Sequence, residues 1–421
     1  MRKGLFFALF LALAATAFGQ SRVVVVWDTN AVNGVTINTS VVRIMVDAGI
    51  KALTDSTTVG GAWKSCFPGL TRGQNIALKI NTINTGMPTH PQVARSVLHG
   101  LTQMQLTGGA FIASHLIAYD DRAESNITAS GYGVPADTSG MRCGSNSRWG
   151  YQTKAYSILG TSERFACAFT DSSAFLINAC VLKDHSQVEY TITMKHHYGS
   201  INSPGSMAHS PSTARRQVPE LVRVIRDSLG GKEKVYLIDA LFTTYDGGPK
   251  SKAQSVTRTI VLSKDPVACD SMGVEMINNQ RRAHGLQPKD SHYLAYAETL
   301  GLGHRAYSLI RINNPSAAVA QEPKMEGRTG DYALLPPRPN PFTGTTEISF
   351  LLPRTGEARV EVYNLIGTRV KSLASGAFPV GRSSLTWDGR NEAGNPAASG
   401  VYIVRLSYGQ ASIERSLSLI R

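Results

Sequence analysis

The stretch KDHSQVEYTITMKHHYGS, residues 183–200, gathers Lys183, His185, Lys195, His196 and His197. Side chains of these types do three kinds of chemistry. Ammonium groups and protonated imidazoles bind carboxylates and phosphates. Neutral imidazoles ligate zinc, copper or iron. A lysine crowded by other cations gives up its proton and acts as a base or a Schiff-base nucleophile. Val188, Tyr190, Thr191, Ile192 and Thr193 favour a strand over residues 188–198. Strand alternation then places Val188, Tyr190, Ile192, Met194 and His196 on an apolar face, and Lys195 with His197 on the polar one. Lys195 and His197 are therefore expected to converge, with Lys183 and His185 arriving from the preceding loop. His185, His197 and His209, with His90 and Asp184 as further donors, are the candidate ligands of a divalent metal. No H-E-x-x-H or other helix-spaced ligand pair accompanies them. The competing structural reading is a solvated basic edge with His196 satisfied in the core.

Two loops carry further candidates. In TGMPTHPQ, residues 85–92, a strand ends at Asn81, a Gly/Pro loop follows, and a helix is expected to start near Thr89. Ligands of α/β sheets sit at such places, outside the carboxyl ends of strands and near helix N-termini. Thr89 and His90 are thus candidate ligand-binding residues, with a plain N-cap role for Thr89 as the alternative. Gly247 and Gly248 in YDGGPKS form a candidate anion-binding turn without P-loop spacing. Lys79 closes the apolar run NIALKIN, and Asp270 lies one turn beyond the expected helix cap Asp265. Lys79, Lys183, Lys195 and Asp270 are the catalytic candidates. The chain lacks a G-x-S-x-G elbow, an S-x-x-K set and a G-x-G-x-x-G fingerprint, which argues against the common hydrolase and dinucleotide-binding readings.

The elements that would position these residues are legible as alternating apolar runs and amphipathic segments. RVVVVW (22–27), NIALKIN (75–81), GAFIAS (109–114), AFLINACVL (174–182), KVYLIDAL (234–241), RTIVLS (258–263) and YSLIRI (307–312) are expected strands. Helices are expected over TSVVRIMVDAGIKAL, THPQVARSVLHGLTQM, PELVRVIRDSLGG from Pro219, and KDPVACDSMGVEMINNQ, where Pro266 follows the cap. The alternation predicts an α/β domain with a mainly parallel sheet over residues 20–314. Residues 315–335 lose periodicity and read as a linker. Residues 336–421 carry short alternating strands broken by Gly, Pro and Asn, the pattern of an all-β immunoglobulin-like sandwich.

At 421 residues, with 42% hydrophobic and 17% charged content, the chain is a folded protein large enough for two domains. Residues 1–19 read as a cleaved signal peptide: Arg2 and Lys3 precede an apolar run that ends in Ala17 and Gly19, and no other stretch approaches a membrane span. The expected location is therefore secreted or cell-surface. The net charge of +13 is dispersed, without the basic clusters that nucleic-acid binding requires. None of the five cysteines stands in C-x-x-C spacing, so no iron–sulfur cluster motif is encoded. Cys66 and Cys143, in loop-like sequence, are the candidate disulfide; Cys180 and Cys269 are expected to be buried.

Two resemblances follow. PNPF, VEVYNLIG and LTWDGRNEAGNPAASGVYIVRL resemble the C-terminal sorting domain of type IX secretion substrates, a relative of the immunoglobulin-like domain of flagellar hook-capping proteins. That likeness implies passage across the outer membrane with the secretion machinery as partner. IALKIN, THPQVARSVLHGL, LINACVLKDH, YTITMKHHYGSI, LIDALFTTYDGGPKS and LSKDPVACDSMGVEMI resemble, in order, the domain-of-unknown-function family 362 over residues ~22–312. The family implies no assigned reaction. Many members carry ferredoxin-like cysteines, which this chain lacks. Three uses remain open: an enzyme or metal-dependent protein, a non-catalytic extracellular protein that binds a small anion, and a structural surface protein.

Overall fold

The computed structural model describes residues 21–186, 188–207, 210–320, 332–364, 367–409 and 411–421. The expected signal peptide and His209 lie outside the described residues. Two compact units meet at Ser316/Ala317.

The first unit is built on one sheet. Its strands are β1 (Arg22–Trp27), β2 (Ile76–Lys79), β3 (Leu116–Asp120), β4 (Arg142–Ser145), β5 (Phe175–His185), β6 (Glu189–Thr191), β7 (Glu233–Thr244), β8 (Ser255–Ser263) and β9 (Ser308–Asn313). Their spatial order is β9-β1-β8-β7-β5-β2-β3-β4, with β6 paired to β5. The pairs β9/β1, β7/β5, β5/β2, β2/β3 and β3/β4 are parallel, while β8 runs antiparallel to β1 and β7, and β6 antiparallel to β5. The fold is the mixed α/β architecture expected.

Apolar residues on both faces of the central strands β5, β7 and β8 explain why the sheet is covered on both sides there. Along β5, Ile177, Ala179 and Val181 enter one core, while Leu176, Cys180 and Leu182 enter the other. The first core is closed by α1 (Thr39–Thr54), α2 (Val59–Cys66) and α3 (Pro91–Thr102). The second is closed by α4 (Thr193–His196), α5 (Pro211–Ser228), α6 (Pro266–Ala283) and α7 (His292–Thr299). Asp265 caps α6 through the backbone N–H groups of Val267 and Ala268, with Pro266 in the first turn, as its sequence predicts.

After β2 the chain crosses through α3 to β3 on one face. After β5 it crosses through α4 and α5 to β7 on the other. The carboxyl ends of β2 and β5 therefore flank a topological switch point, where crossovers leave in opposite directions and open a crevice.

Four expectations are corrected. The segment 109–114 is not the central strand. Gly108 and Gly109 take φ of 92° and 115°, Ala113–His115 is a 3-10 turn, and the strand is Leu116–Asp120, buried throughout. Helix α5 begins eight residues before Pro219, which lies inside it. The apolar stripe Ala214, Val218, Leu221, Val222 and Ile225 runs through the proline and is buried. At ~1.5–3 kcal/mol for each large side chain, that burial outweighs the ~3 kcal/mol that an interior proline costs. The expected linker is partly structured: Pro315–Ala320 is helical, and the Ser316 N–H donates to Asp28 at 2.8 Å. Cys66 and Cys143 are buried free thiols, the first at the end of α2 and the second in β4, and so are not a disulfide.

The second unit is all-β and antiparallel. Strands β10 (Ala333–Leu334), β11 (Thr346–Leu352) and β14 (Gly381–Trp387) form one sheet in the order β10-β11-β14. Strands β12 (Gly356–Asn364), β13 (Arg369–Phe378), β15 (Gly400–Tyr408) and β16 (Ala411–Leu419) form the other in the order β13-β12-β15-β16. Phe342, Ile348, Phe350, Val360, Val404 and Trp387 are buried in its core, and the Trp387 Nε1–H donates to the Arg390 carbonyl at 2.9 Å. Among the described residues, no helix is long and apolar enough to cross a membrane.

Candidate functional site

At the switch point lies a cleft of about 260 Å³, lined among others by Lys79, Asn81, Asp120, His185, Thr191, Lys195, His196 and Gly199. Its floor is an ion pair. Lys79 ends β2, Asp120 ends the neighbouring β3, and both are buried. Lys79 Nζ donates to Asp120 Oδ1 at 2.7 Å, to the Ile80 carbonyl at 2.7 Å and to His196 Nε2 at 3.2 Å. Three acceptors thus surround the three protons of an ammonium. Asp120 Oδ2 accepts from the Thr82 N–H at 2.6 Å and the Thr82 hydroxyl at 2.7 Å, and Oδ1 also accepts from the Asp121 N–H at 2.9 Å. Burial pulls the Lys79 pKa down and Asp120 pulls it back up. Burial pushes the Asp120 carboxyl up, but the charge and hydrogen bond of Lys79, with help from His196 and Thr82, hold it below its ordinary value. The hydrogen-bond geometry makes the pair ammonium and carboxylate.

A relay of buried polar groups extends from this pair. His196 accepts from Lys79 at Nε2, so its proton sits on Nδ1, which donates to Asn178 Oδ1 at 2.7 Å. Burial and the Lys79 charge hold the His196 pKa well below its usual value, in agreement with that neutral tautomer. Asn178 Nδ2 donates to the Thr193 carbonyl and to Glu233 Oε1, both at 2.9 Å. His197 bonds Glu233 at 2.9 Å through Nε2 and Ser200 at 3.1 Å through Nδ1.

Lys195, in the cleft wall, rests on an aromatic ring and not in an ion pair. Lys195 Nζ lies 3.4 Å from the centroid of the Tyr198 ring, and no carboxylate among the described residues pairs with it. Burial pushes its pKa down to about 7. The Thr191 hydroxyl is buried and has no hydrogen-bond partner among the described residues. Gly199 packs closely over the ion pair: a Cβ there would stand 2.7 Å from Asp120 Oδ1 and 2.8 Å from Lys79 Nζ. At the rim Arg122 is neutralised by Asp121.

The expected strand over 188–198 is corrected here. Only Glu189–Thr191 is strand; a helical turn follows over Thr193–His196 and a 3-10 turn over His197–Ser200. The cause is Asp270. Its buried carboxylate accepts from the Thr193 N–H at 2.8 Å, the Thr193 hydroxyl at 2.5 Å, the Met194 N–H at 3.3 Å and the Tyr293 hydroxyl at 3.0 Å, so it stabilises the start of α4. Lys195 therefore shares the cleft with His196, and His197 is buried behind it.

The sequence candidates separate accordingly. Lys79, Lys195 and His185 line the cleft, whereas His197 and Asp270 do not. Lys183, two residues before His185 in β5 and paired with Thr191, is fully buried and does not itself line the cleft. Its Nζ donates to Asn81 Oδ1 at 3.0 Å, and burial lowers its pKa to about 7. Thr89 does not cap α3; His90 occupies that position. The Thr89 hydroxyl instead donates to the Ala179 carbonyl at 2.6 Å and accepts from the Asn81 N–H at 2.9 Å, clasping the loop to the sheet. The Gly248 N–H donates to Asp184 Oδ1 at 2.8 Å, and a Cβ on Gly248 would meet the Asp184 carbonyl oxygen at 2.1 Å. Gly247 and Gly248 thus latch their loop to β5, which brings Pro249 to the cleft. Among the described residues, no three His, Cys, Asp or Glu side chains converge to hold a metal. Asp120, Asn178 and Glu233 were missed by sequence reasoning; the carboxylate that closes the run LIAYD was the available signal for Asp120.

Residues 76–275 match the family described as Domain of unknown function (DUF362), and residues 338–412 match the FlgD Ig-like domain. The first match runs from β2 into α6 and spans the whole cleft. No curated protein matches the chain. Among solved structures, it is similar to dimeric latent PorU from Porphyromonas gingivalis, with 19% identity over 21% of this chain and 9% of that one, at a TM-score of 0.20. It is similar also to PorZ of the same organism, a surface component of its type-IX secretion system, with 21% identity over 21% of this chain and 12% of that one, at a TM-score of 0.16. FlgD from Xanthomonas campestris shares 24% identity over 24% of this chain and 72% of that one, at a TM-score of 0.17. The chain thus spans only a small part of PorU and PorZ, and likenesses this weak carry no argument about activity.

Proposed function

We propose that the α/β unit binds a small anion, a carboxylate or an oxyanion of similar size, in the cleft between β2 and β5. The observation that carries this reading is Lys195, in the cleft wall, which no carboxylate among the described residues neutralises. Lys79 is committed to Asp120 and contributes the floor, not the binding charge. Sulfate and malonate are suitable probes for calorimetry. Lys195→Met is expected to weaken both by ten- to a hundredfold, the worth of a charge-assisted hydrogen bond at ~1.5–3 kcal/mol. Unchanged affinity in that variant, or no binding of either probe to the wild-type chain, refutes the reading.

The chain is also proposed to be exported through the signal peptide, with its C-terminal unit as the address for type IX secretion. The match of residues 338–412 to the FlgD Ig-like domain and the ordered C-terminal motifs support this. A chain ending at residue 335 should stay in the periplasm while the full chain reaches the surface fraction; equal surface delivery of both overturns the proposal.

A further inference from the structure

The charges that line the cleft between β2 and β5 cancel down to a single cation. Lys79 is paired with Asp120 and Arg122 with Asp121, so both of these cations are neutralised within the wall. His196 accepts from Lys79 at Nε2 and is neutral. His185 Nδ1 accepts from the Val188 N–H at 3.2 Å, and a ring nitrogen that accepts carries no proton, so this imidazole is uncharged too. Among the described residues, Lys195 is the cation of the lining that has no carboxylate partner. A monoanion therefore balances the cleft. A dianion would bring a second charge out of water with nothing opposite it.

Apolar side chains from three loops complete the lining. Ile83 follows β2, Pro204 follows the 3-10 turn over His197–Ser200, and Pro249 lies in the loop that Gly248 latches to β5. All three are half-buried, and the buried Tyr198 ring lies beneath Lys195. Side chains of Ile and Pro offer water no hydrogen bond, so a hydrocarbon group displaces water from them with a gain in affinity. The volume of about 260 Å³ falls below the ~300–1,000 Å³ of drug-sized sites, which limits the ligand to a few carbon atoms.

One uncancelled charge, an apolar wall and a small volume define the ligand more closely than charge alone. We infer that the cleft binds a short-chain monocarboxylate, with its carboxylate on Lys195 and its hydrocarbon tail against Ile83, Pro204 and Pro249. The inference rests on the anion-binding reading and adds the single charge and the tail.

Titration calorimetry on the full chain with acetate, butanoate, butanedioate and sulfate tests it, at pH 6, below the Lys195 pKa of about 7. A buried methylene is worth up to about fourfold in affinity, so butanoate should bind roughly four- to sixteenfold more tightly than acetate. Butanedioate has the same chain length but sets a second carboxylate against the apolar wall, and should bind about tenfold or more weakly than butanoate. Lys195→Met should weaken butanoate about tenfold or more, and Ile83→Ser should at least halve the ratio of butanoate to acetate affinity. Equal affinity for acetate and butanoate, or for butanoate and butanedioate, overturns the inference. Sulfate binding that still depends on Lys195 would then leave the anion-binding reading standing, whereas failure of sulfate and every carboxylate to bind overturns both. Butanoate binding retained in full by Lys195→Met also overturns the inference.

Discussion

Replacing Asp120 by alanine would leave the Lys79 ammonium buried with no counter-charge. Lys79 is fully buried, and Asp120 takes four hydrogen bonds, two of them from Thr82. Breaking a buried pair from one side costs ~3–5 kcal/mol. The charge contribution has a ceiling, because Lys79 can release its proton. From an unfolded value of 10.5, deprotonation at pH 7 costs about 5 kcal/mol, at ~1.36 kcal/mol per pH unit. In the variant the folded-state pKa of Lys79 lies below its unfolded value, so between the two the unfolded chain binds the extra proton and stability rises with pH. Asp120→Ala should therefore lose ~3–5 kcal/mol at pH 7 and regain roughly 3 kcal/mol of that by pH 9. The double variant Lys79→Met/Asp120→Leu, with neither charge, should recover at least half the loss. Because the chain has two units, bulk unfolding signals mix them, and the urea dependence of hydrogen exchange in β2 and β3 isolates the first. A loss below about 1 kcal/mol in Asp120→Ala refutes the ion pair as a structural element, and an equal loss at pH 7 and pH 9 refutes the protonation argument.

Three further outcomes follow from the same geometry. Since the Lys195 pKa is pushed down to about 7, sulfate affinity should be constant below pH 6 and fall up to tenfold per pH unit above 7, measured by calorimetry from pH 6 to 9. Gly199→Ala forces a Cβ against Asp120 and Lys79 and should destabilise by ~1–3 kcal/mol while weakening sulfate binding, read by urea unfolding and titration. Burial raises the Asp270 pKa from 3.8 to about 6, so its proton is held more tightly in the folded state. The resulting stability, about 3 kcal/mol, is present below pH 4 and lost as pH rises through 6. Asp270→Asn should remove that pH dependence, which urea unfolding at pH 4 and pH 7 would detect.

The fold class was legible because strand and helix periods differ and every long strand of the first unit is apolar on both faces. RVVVVW and KVYLIDAL are strands where expected, and Asp265-Pro266 starts its helix where expected. What local pattern concealed was tertiary override. Nothing in VEYTITMK announces that a carboxylate some seventy-five residues later will start a helix at Thr193, yet Asp270 makes that turn and decides which histidine meets the cleft. Asp120 was lost with the misplaced strand, and Asn178 and Glu233 looked like ordinary strand polars until His196 and His197 were found between them.

The candidate lysines separate by burial and by partner at the switch point. Lys79 and Asn178, paired across β2 and β5, face the core closed by α4, α5 and α6. Lys183, farther along β5, is buried beneath the cleft lining and hydrogen-bonds the cleft residue Asn81. The chain leaves β2 and β5 in opposite directions over opposite faces of the sheet, and the cavities lie at these open carboxyl ends. A sheet whose crossovers all lay on one side would have buried one of these cavities, at the cost of an uncompensated charge or an unpaired carboxylate. The topology thus opens two separate cavities at the carboxyl ends of the strands.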